Sequence, residues 1–212
     1  MNRKFISNSN YVLRKVLNSK ENLDIIKDFI ESFLNIEIQK IELNPYLKSK
    51  EKYLPSEEKF GIADVRIETK EKEEFNIGIQ FIDGYFVENK LLLYYLQIHS
   101  NQLEYDAKRK FAKTITINLL DFNFFKADDY HQKLFIKTNP DSNGNREKLE
   151  MHVIELPKFN NKNLINMNRK NAWMMYLCGN NEKLTSEITK KYEKIKKLNN
   201  LLNKYWQGEV ME

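Results

Sequence analysis

Asp64 and Gln80 are polar residues set into apolar alternation, and the spacing between them decides what chemistry they could share. The stretch Phe60 to Phe81 reads FGIADVRIETKEKEEFNIGIQF. Two runs in it, Ala63–Thr69 and Phe75–Phe81, flank a charged link from Lys70 to Glu74. Val65 and Ile67 alternate with Asp64, Arg66 and Glu68; Ile77, Ile79 and Phe81 alternate with Asn76, Gly78 and Gln80. A period of two predicts strands with one buried face, and the short polar link predicts a hairpin. A hairpin symmetric about Glu71 sets Asp64 opposite Gly78, on the face that also carries Gln80. A carboxylate facing an acid-x-polar pair on the next strand can hold a hard divalent cation, because Mg²⁺ needs one or two carboxylate oxygens while water and phosphate complete its shell. The spacing is that of such a site, but the place for the second acid is Gly78. A strand-interior glycine marks a bulge or a close approach of backbone.

The elements that must position these residues follow from the rest of the chain. Val12, Leu13, Val16 and Leu17 have helical spacing. A second helix is predicted over Glu21–Leu34, with Ser19 as its cap and a buried stripe of Leu23, Ile26, Phe29, Ile30, Phe33 and Leu34. Ile36 to Leu43 reads as a first strand, stopped by Pro45. The charged stretch Pro45 to Lys59 is long for a plain connection and reads as a solvated loop or a flap. After the hairpin a helix runs from Asp83-Gly84 to about Lys110. It is apolar over most of its circumference and is expected to be the central buried helix. Strands follow at Ala112–Phe122, Leu134–Lys137 and Leu149–Leu156, with a turn at Pro140–Asn145. The tail from Asn160 is helical. Glu182–Trp206 is expected to be one helix, with an apolar stripe of Leu184, Ile188, Ile195, Leu198, Leu202 and Tyr205. Its other face bears Lys190, Lys191, Lys194, Lys196 and Lys197, interrupted by Glu187 and Glu193. The stripe calls for docking on the domain or on a second copy, as a homodimer through the C-terminal helix. A nucleic-acid contact is the alternative use of the basic face, through Lys190 and Lys194.

Composition bounds the function. A chain of 212 residues with 41% hydrophobic and 12% aromatic content can build a core and is not a disordered polymer. Net charge is +5, which suits a polyanionic partner, although Lys and Asn are abundant throughout. The single Cys178 excludes an internal disulfide framework and a cysteine zinc site. His99, His131 and His152 lack ligand spacing and read as surface or packed side chains. No apolar run approaches the length of a membrane span, and the start of the chain is unlike a signal peptide. The compartment expected is the cytoplasm.

The ordered set of segments resembles the PD-(D/E)XK nuclease family transposases, also called recombination-promoting nucleases. In that family an Asp on one strand precedes a strand reading roughly Asn-hydrophobic-Glu-hydrophobic-Gln. Here ADV supplies Asp64 and NIGIQ supplies Asn76, Gly78 and Gln80. An N-terminal helix with NYVLRKVL, a later helix with LLLYYLQIHSNQLEY and a strand ending in ELPKF, Glu155 to Phe159, follow in the family's order. The resemblance covers roughly the first three quarters of the chain. It departs from the pattern at Gly78, where the family has its metal-binding Glu, and at Asn10, Leu13 and Arg14, where the family favours Asp, Phe and Lys.

The resemblance implies an α/β (α+β) fold with a restriction-endonuclease-like αβββαβ core, a mixed sheet flanked by helices. The nuclease-like domain is expected over residues 1–159 and a helical C-terminal extension over 160–212. It also implies a metal-dependent DNA endonuclease linked to recombination, using Mg²⁺ or Mn²⁺ if active, with DNA as partner and no membrane. A metal would polarise the phosphate and activate a water, with Asp64 as ligand. Gln80 stands where the superfamily usually has Lys, and could orient water or phosphate without supplying charge. Glu31, Glu42, Glu88 and Glu104 are candidates for a relocated second carboxylate, Glu104 first. Arg66 suits phosphate binding. Gly78→Glu is expected to raise Mg²⁺-dependent cleavage. The alternative is a non-catalytic relative that binds DNA or a partner protein.

Overall fold

A computed structural model of the chain describes residues 12–44, 62–82, 84, 86–105, 112–137, 147–159, 167–179 and 182–207. The Pro45–Lys59 stretch and the Pro140–Asn145 turn lie outside the described residues. Six strands form one mixed sheet: β1 (Ile38–Leu43), β2 (Ala63–Thr69), β3 (Glu74–Ile82), β4 (Lys113–Leu120), β5 (His131–Lys137) and β6 (Glu147–Glu155), in the spatial order β1-β2-β3-β4-β6-β5. β1, β2 and β3 are antiparallel neighbours; β4 runs parallel to both β3 and β6, and β5 closes the far edge antiparallel to β6. The parallel β3–β4 step needs a crossover, and α3 (Val87–Tyr105) supplies it. This is the α/β arrangement of a restriction-endonuclease-like fold.

Helices cover the two faces unequally. On one face lie α1 (residues 12–17), α2 (Leu23–Leu34), α4 (Arg169–Cys178), α5 (Glu182–Lys191) and α6 (Glu193–Trp206). Their apolar sides meet Val65, Ile67, Ile77, Ile79, Ile115, Ile117 and Leu119 in the main core. Ser19 caps a short 3-10 turn that leads into α2, and Asn35 ends α2 in the left-handed conformation an asparagine tolerates. Phe29 of α2 meets Trp173 of α4 edge-on, and Trp173 donates its indole N–H to Asp28 at 2.8 Å.

Glu182–Trp206 is two helices rather than one. Tyr192 between them is extended, with φ −113° and ψ 103°, and its hydroxyl donates to the Met167 carbonyl at 2.7 Å. The break lets Ile188 on α5 and Ile195, Leu198 and Leu202 on α6 all reach the main core. The chain thus covers the stripe itself. Lys194 and Lys197 both reach Asp24 on α2, at 2.9 and 2.7 Å.

The one helix on the other face among the described residues is α3, with Phe122, Phe124 and Phe125 packed beside it; α3 is not buried all round as its composition suggests. Val87, Leu91, Tyr94, Tyr95 and Ile98 face the sheet. Leu92, Leu93 and Leu96 are about half exposed, since nothing among the described residues lies outside this helix. A single helix on a sheet can bury only one stripe of its own circumference.

The ELPKF segment has a structural task. Glu155, fully buried, accepts from the backbone N–H groups of Phe124 and Phe125 and pairs with Lys158 at 2.8 Å. Lys158 also donates to the carbonyls of Phe125 and Ala127 at 2.6 Å. One buried ion pair thereby pins the connection from β4 to β5. Lys158→Met is expected to lower the unfolding free energy by about 3 kcal/mol, since it strands the Glu155 charge. The Glu155→Gln/Lys158→Met double variant recovers part of that loss. Urea midpoints at constant slope would measure both.

Candidate functional site

The β2–β3 register pairs Asp64 with Gly78, as a hairpin symmetric about Glu71 requires. β4 continues the row, setting Thr116 beside Gly78 and Asn118 beside Gln80. The α3 side of the sheet therefore carries a buried polar layer of Asp64, Asn76, Gln80, Thr114, Thr116 and Asn118. Buried polar groups need partners, and most of these have them. Gln80 donates to Asn118 Oδ1 at 2.6 Å, and Asn118 donates to Thr116 Oγ1 at 3.1 Å and to the His152 carbonyl at 3.0 Å. His99 Nδ1 and Gln102 Nε2 contact Thr114 Oγ1 at 3.0 and 2.9 Å, tying α3 to β4.

Asp64 is the exception. It is 1% exposed. Its Oδ2 accepts from Asn44 Nδ2 at 3.3 Å, and its Oδ1 is buried without a hydrogen-bond partner. Burial pushes its carboxyl up to about 7, opposed only by the Asn44 contact. Near neutral pH the group is therefore a mixture of acid and carboxylate.

Tyr94 explains Gly78. The Tyr94 hydroxyl donates toward the Ile79 and Ala63 carbonyls at 3.1 and 3.3 Å, bridging β3 and β2 beside Asp64. A Cβ at residue 78 would lie 2.7 Å from Tyr94 Oη, 2.9 Å from Tyr94 Cζ and 3.0 Å from Ile98 Cγ1. Any larger residue here would have to push back the tyrosine that fills the volume above it. Burial holds the Tyr94 phenol well above its ordinary pKa, and the Asp64 charge adds to this, while Arg14 opposes it. The phenol is thus a hydrogen-bond donor and not a phenolate. Gly78→Glu would therefore have to displace Tyr94 before a carboxylate could enter this space.

The other candidates scatter. Arg66 pairs with Glu74 at 2.7 Å on the same face as Asp64. Glu104 lies in the last turn of α3, and its side chain falls outside the described residues. Glu31 accepts from the Ile38 N–H at 2.9 Å, on the opposite side of the sheet, and Glu42 pairs with Lys40 at 3.1 Å. Lys190 is exposed at the end of α5, whereas Lys194 is committed to Asp24. Sequence reasoning missed Asn44, Tyr94, Thr116 and Asn118. The two on β4 were marked by the same alternation that exposed Ile115, Ile117 and Leu119.

A divalent metal is what this class of site ordinarily holds, so the donors can be tested for it. The orphaned Asp64 Oδ1 would suit a cation. Gly78 offers no side-chain oxygen, Gln80 offers only a neutral amide oxygen, and the Ile79 carbonyl already accepts from Tyr94 and from the Ile62 N–H. Among the described residues no group of three His, Cys, Asp or Glu side chains could hold a metal ion. One buried carboxylate is too little charge to draw Mg²⁺ from its water shell, so the described donors do not fit it. Nor is any helix among these residues long and apolar enough to cross a membrane.

A family model describing PD-(D/E)XK nuclease family transposases matches residues 8–209. The match takes in both the sheet and the C-terminal helices. No curated protein and no solved structure matches the chain.

Proposed function

The chain belongs to the PD-(D/E)XK nuclease family transposases, and from that premise we propose that it is a DNA-binding member whose Mg²⁺-dependent cleavage is lost or strongly attenuated. The observation that carries this reading is Tyr94, whose hydroxyl fills the space a side chain at residue 78 would need. Phosphodiester hydrolysis in this family's manner requires a metal to activate water and offset developing charge. The donors around Asp64 supply one buried carboxylate poised near neutrality. The positive charge of Arg14 reaches Tyr94, and exposed lysines such as Lys190 remain for a phosphate backbone.

A metal-dependent endonuclease is the second reading, favoured by the orphaned Asp64 Oδ1. It requires a carboxylate from elsewhere in the chain, Glu104 being the first candidate.

The two separate in one pair of measurements on the full chain. The binding reading expects fluorescence anisotropy to report duplex DNA binding that weakens steeply with salt, and plasmid DNA to stay supercoiled in Mg²⁺ or Mn²⁺. Metal-dependent nicking that Asp64→Asn abolishes would reverse the assignment in favour of the nuclease. Absence of DNA binding at low salt would remove both.

A further inference from the structure

On the face of the sheet away from Asp64, five charged or titratable side chains form one hydrogen-bonded chain. Lys170 Nζ lies 3.2 Å from His131 Nδ1, and His131 Nε2 lies 2.8 Å from His152 Nδ1. His152 Nε2 contacts Glu150 Oε1 at 2.7 Å, and Glu150 Oε2 pairs with Lys113 at 2.6 Å. An ammonium only donates and a carboxylate only accepts, so the chain has one consistent polarity. His131 Nδ1 accepts and its Nε2–H donates to His152 Nδ1, whose partner Nε2–H donates to Glu150. Both imidazoles are neutral in that arrangement, and burial with the neighbouring Lys170 charge holds His131 down to about 3.

Lys170 ends this chain in a setting that disfavours its charge. Its partner is a neutral imidazole, not a carboxylate. It is the second residue of α4, where the positive end of the helix dipole opposes a cation. The Phe33 and Tyr130 rings enclose it at 5.4 and 5.9 Å. The β5–β6 register puts Lys133 opposite His152, on the same face as His131. Burial and the Lys133 charge lower the Lys170 amine, with Asp129 the one facing group that raises it. The ring faces of Phe33 and Tyr130 favour the cation and act against that shift. Lys170 is not sealed in; it is half-buried at the rim of the helix layer.

We propose that Lys170 is a reactive amine and the preferred acylation site of this protein, taking small activated acyl groups such as acyl phosphates or thioesters. The ammonium first gives a proton to water. The neutral amine keeps an N–H on His131 Nδ1, which turns its lone pair away from the ring. The lone pair attacks the acyl carbon, the N–C bond forms, and the C–O bond to phosphate (or C–S bond to the thiol) breaks. The leaving group departs with that electron pair, and the surplus amine proton passes to solvent. Acylation converts the cation at the head of the chain into a neutral amide that still donates to His131.

The test uses the full chain and acetyl phosphate at neutral pH, with site occupancy followed by mass spectrometry at early times. Lys170 is expected to acetylate severalfold faster than the exposed Lys183, Lys190 and Lys196. The advantage should vanish in urea, and Lys133→Glu should slow Lys170 while leaving the other three unchanged. Equal or slower acetylation of Lys170, or an advantage that survives unfolding or the Lys133→Glu change, would overturn the proposal.

Discussion

Gly78→Glu is expected to destabilise the fold by about 3 kcal/mol or more, and Tyr94→Ala in the same chain to relieve part of that loss. The new Cβ alone would sit 2.7 Å from the tyrosine hydroxyl. Tyr94 is buried and bonded to two backbone carbonyls, so yielding would cost it both contacts. The added carboxylate would also enter beside Asp64, and two acids in one dry site cannot both ionise freely. Tyr94→Ala by itself should cost about 3–5 kcal/mol for the cavity it opens. In the double variant the glutamate occupies that cavity, so the combined loss should be smaller than the sum by more than about 1 kcal/mol. Only the double variant sets two carboxylates face to face across β2 and β3. Mg²⁺ is therefore expected to raise its melting temperature and to leave the natural protein's unchanged. Urea and thermal unfolding with and without Mg²⁺ would measure each arm. A Gly78→Glu single variant as stable as the parent would show that Tyr94 is not what excludes the acid.

The central hairpin was legible because alternation and a short polar link determine both faces and the register of Asp64 against Gly78. The buried stripes of α2, α5 and α6 were legible for the same reason, as periodicity follows from burial on one side. Which apolar residues of α3 stay in water was not. Leu91, Tyr94 and Ile98 are chemically similar to Leu92, Leu93 and Leu96, and only the number of layers above the helix separates them. The break at Tyr192 was hidden because heptad-like spacing continues across it; no glycine or proline marks it, and the extended residue is held by a contact to Met167 remote in sequence. At the site, Gly78 read as a missing ligand because a glycine shows only what it lacks. The reason for it is Tyr94, sixteen residues on and brought over β3 by the crossover. The His131–His152 contact was likewise invisible, as it depends on strand β5 joining the sheet beyond β6 and not beside β4.

Asp64→Asn is expected to be more stable than the natural protein at pH 8 and somewhat less stable than it at pH 4, where only the forfeited amide N–H counts. The Asp64 carboxyl lies near 3.8 when exposed and at about 7 in the fold. Between those values the folded protein holds a proton that the unfolded chain has released, so this group's contribution to stability falls as pH rises from about 4 to about 7. Above that window the loss is complete, on the order of 3–4 kcal/mol from a shift of this size. An amide keeps the shape and the Asn44 contact but never ionises, so it escapes the loss, less what its own N–H group forfeits where Asp64 Oδ1 now has no partner. The gain should therefore be about 2 kcal/mol at pH 8, appearing as a difference between the two stability profiles that opens from pH 4 to pH 7. Thermal unfolding across that range, run on both proteins, isolates the Asp64 contribution from the other titrating groups. The same series in Mg²⁺ bears on function. If a cation meets Oδ1, it stabilises the natural protein alone and closes the gap at pH 8, as a metal-dependent endonuclease requires. If the gap persists in Mg²⁺, Asp64 is a buried acid kept near neutrality beneath Tyr94, as the DNA-binding reading requires. Parallel profiles with no gap at any pH would mean that the Asp64 charge finds compensation in the fold, and the site would then have to be rebuilt around that partner.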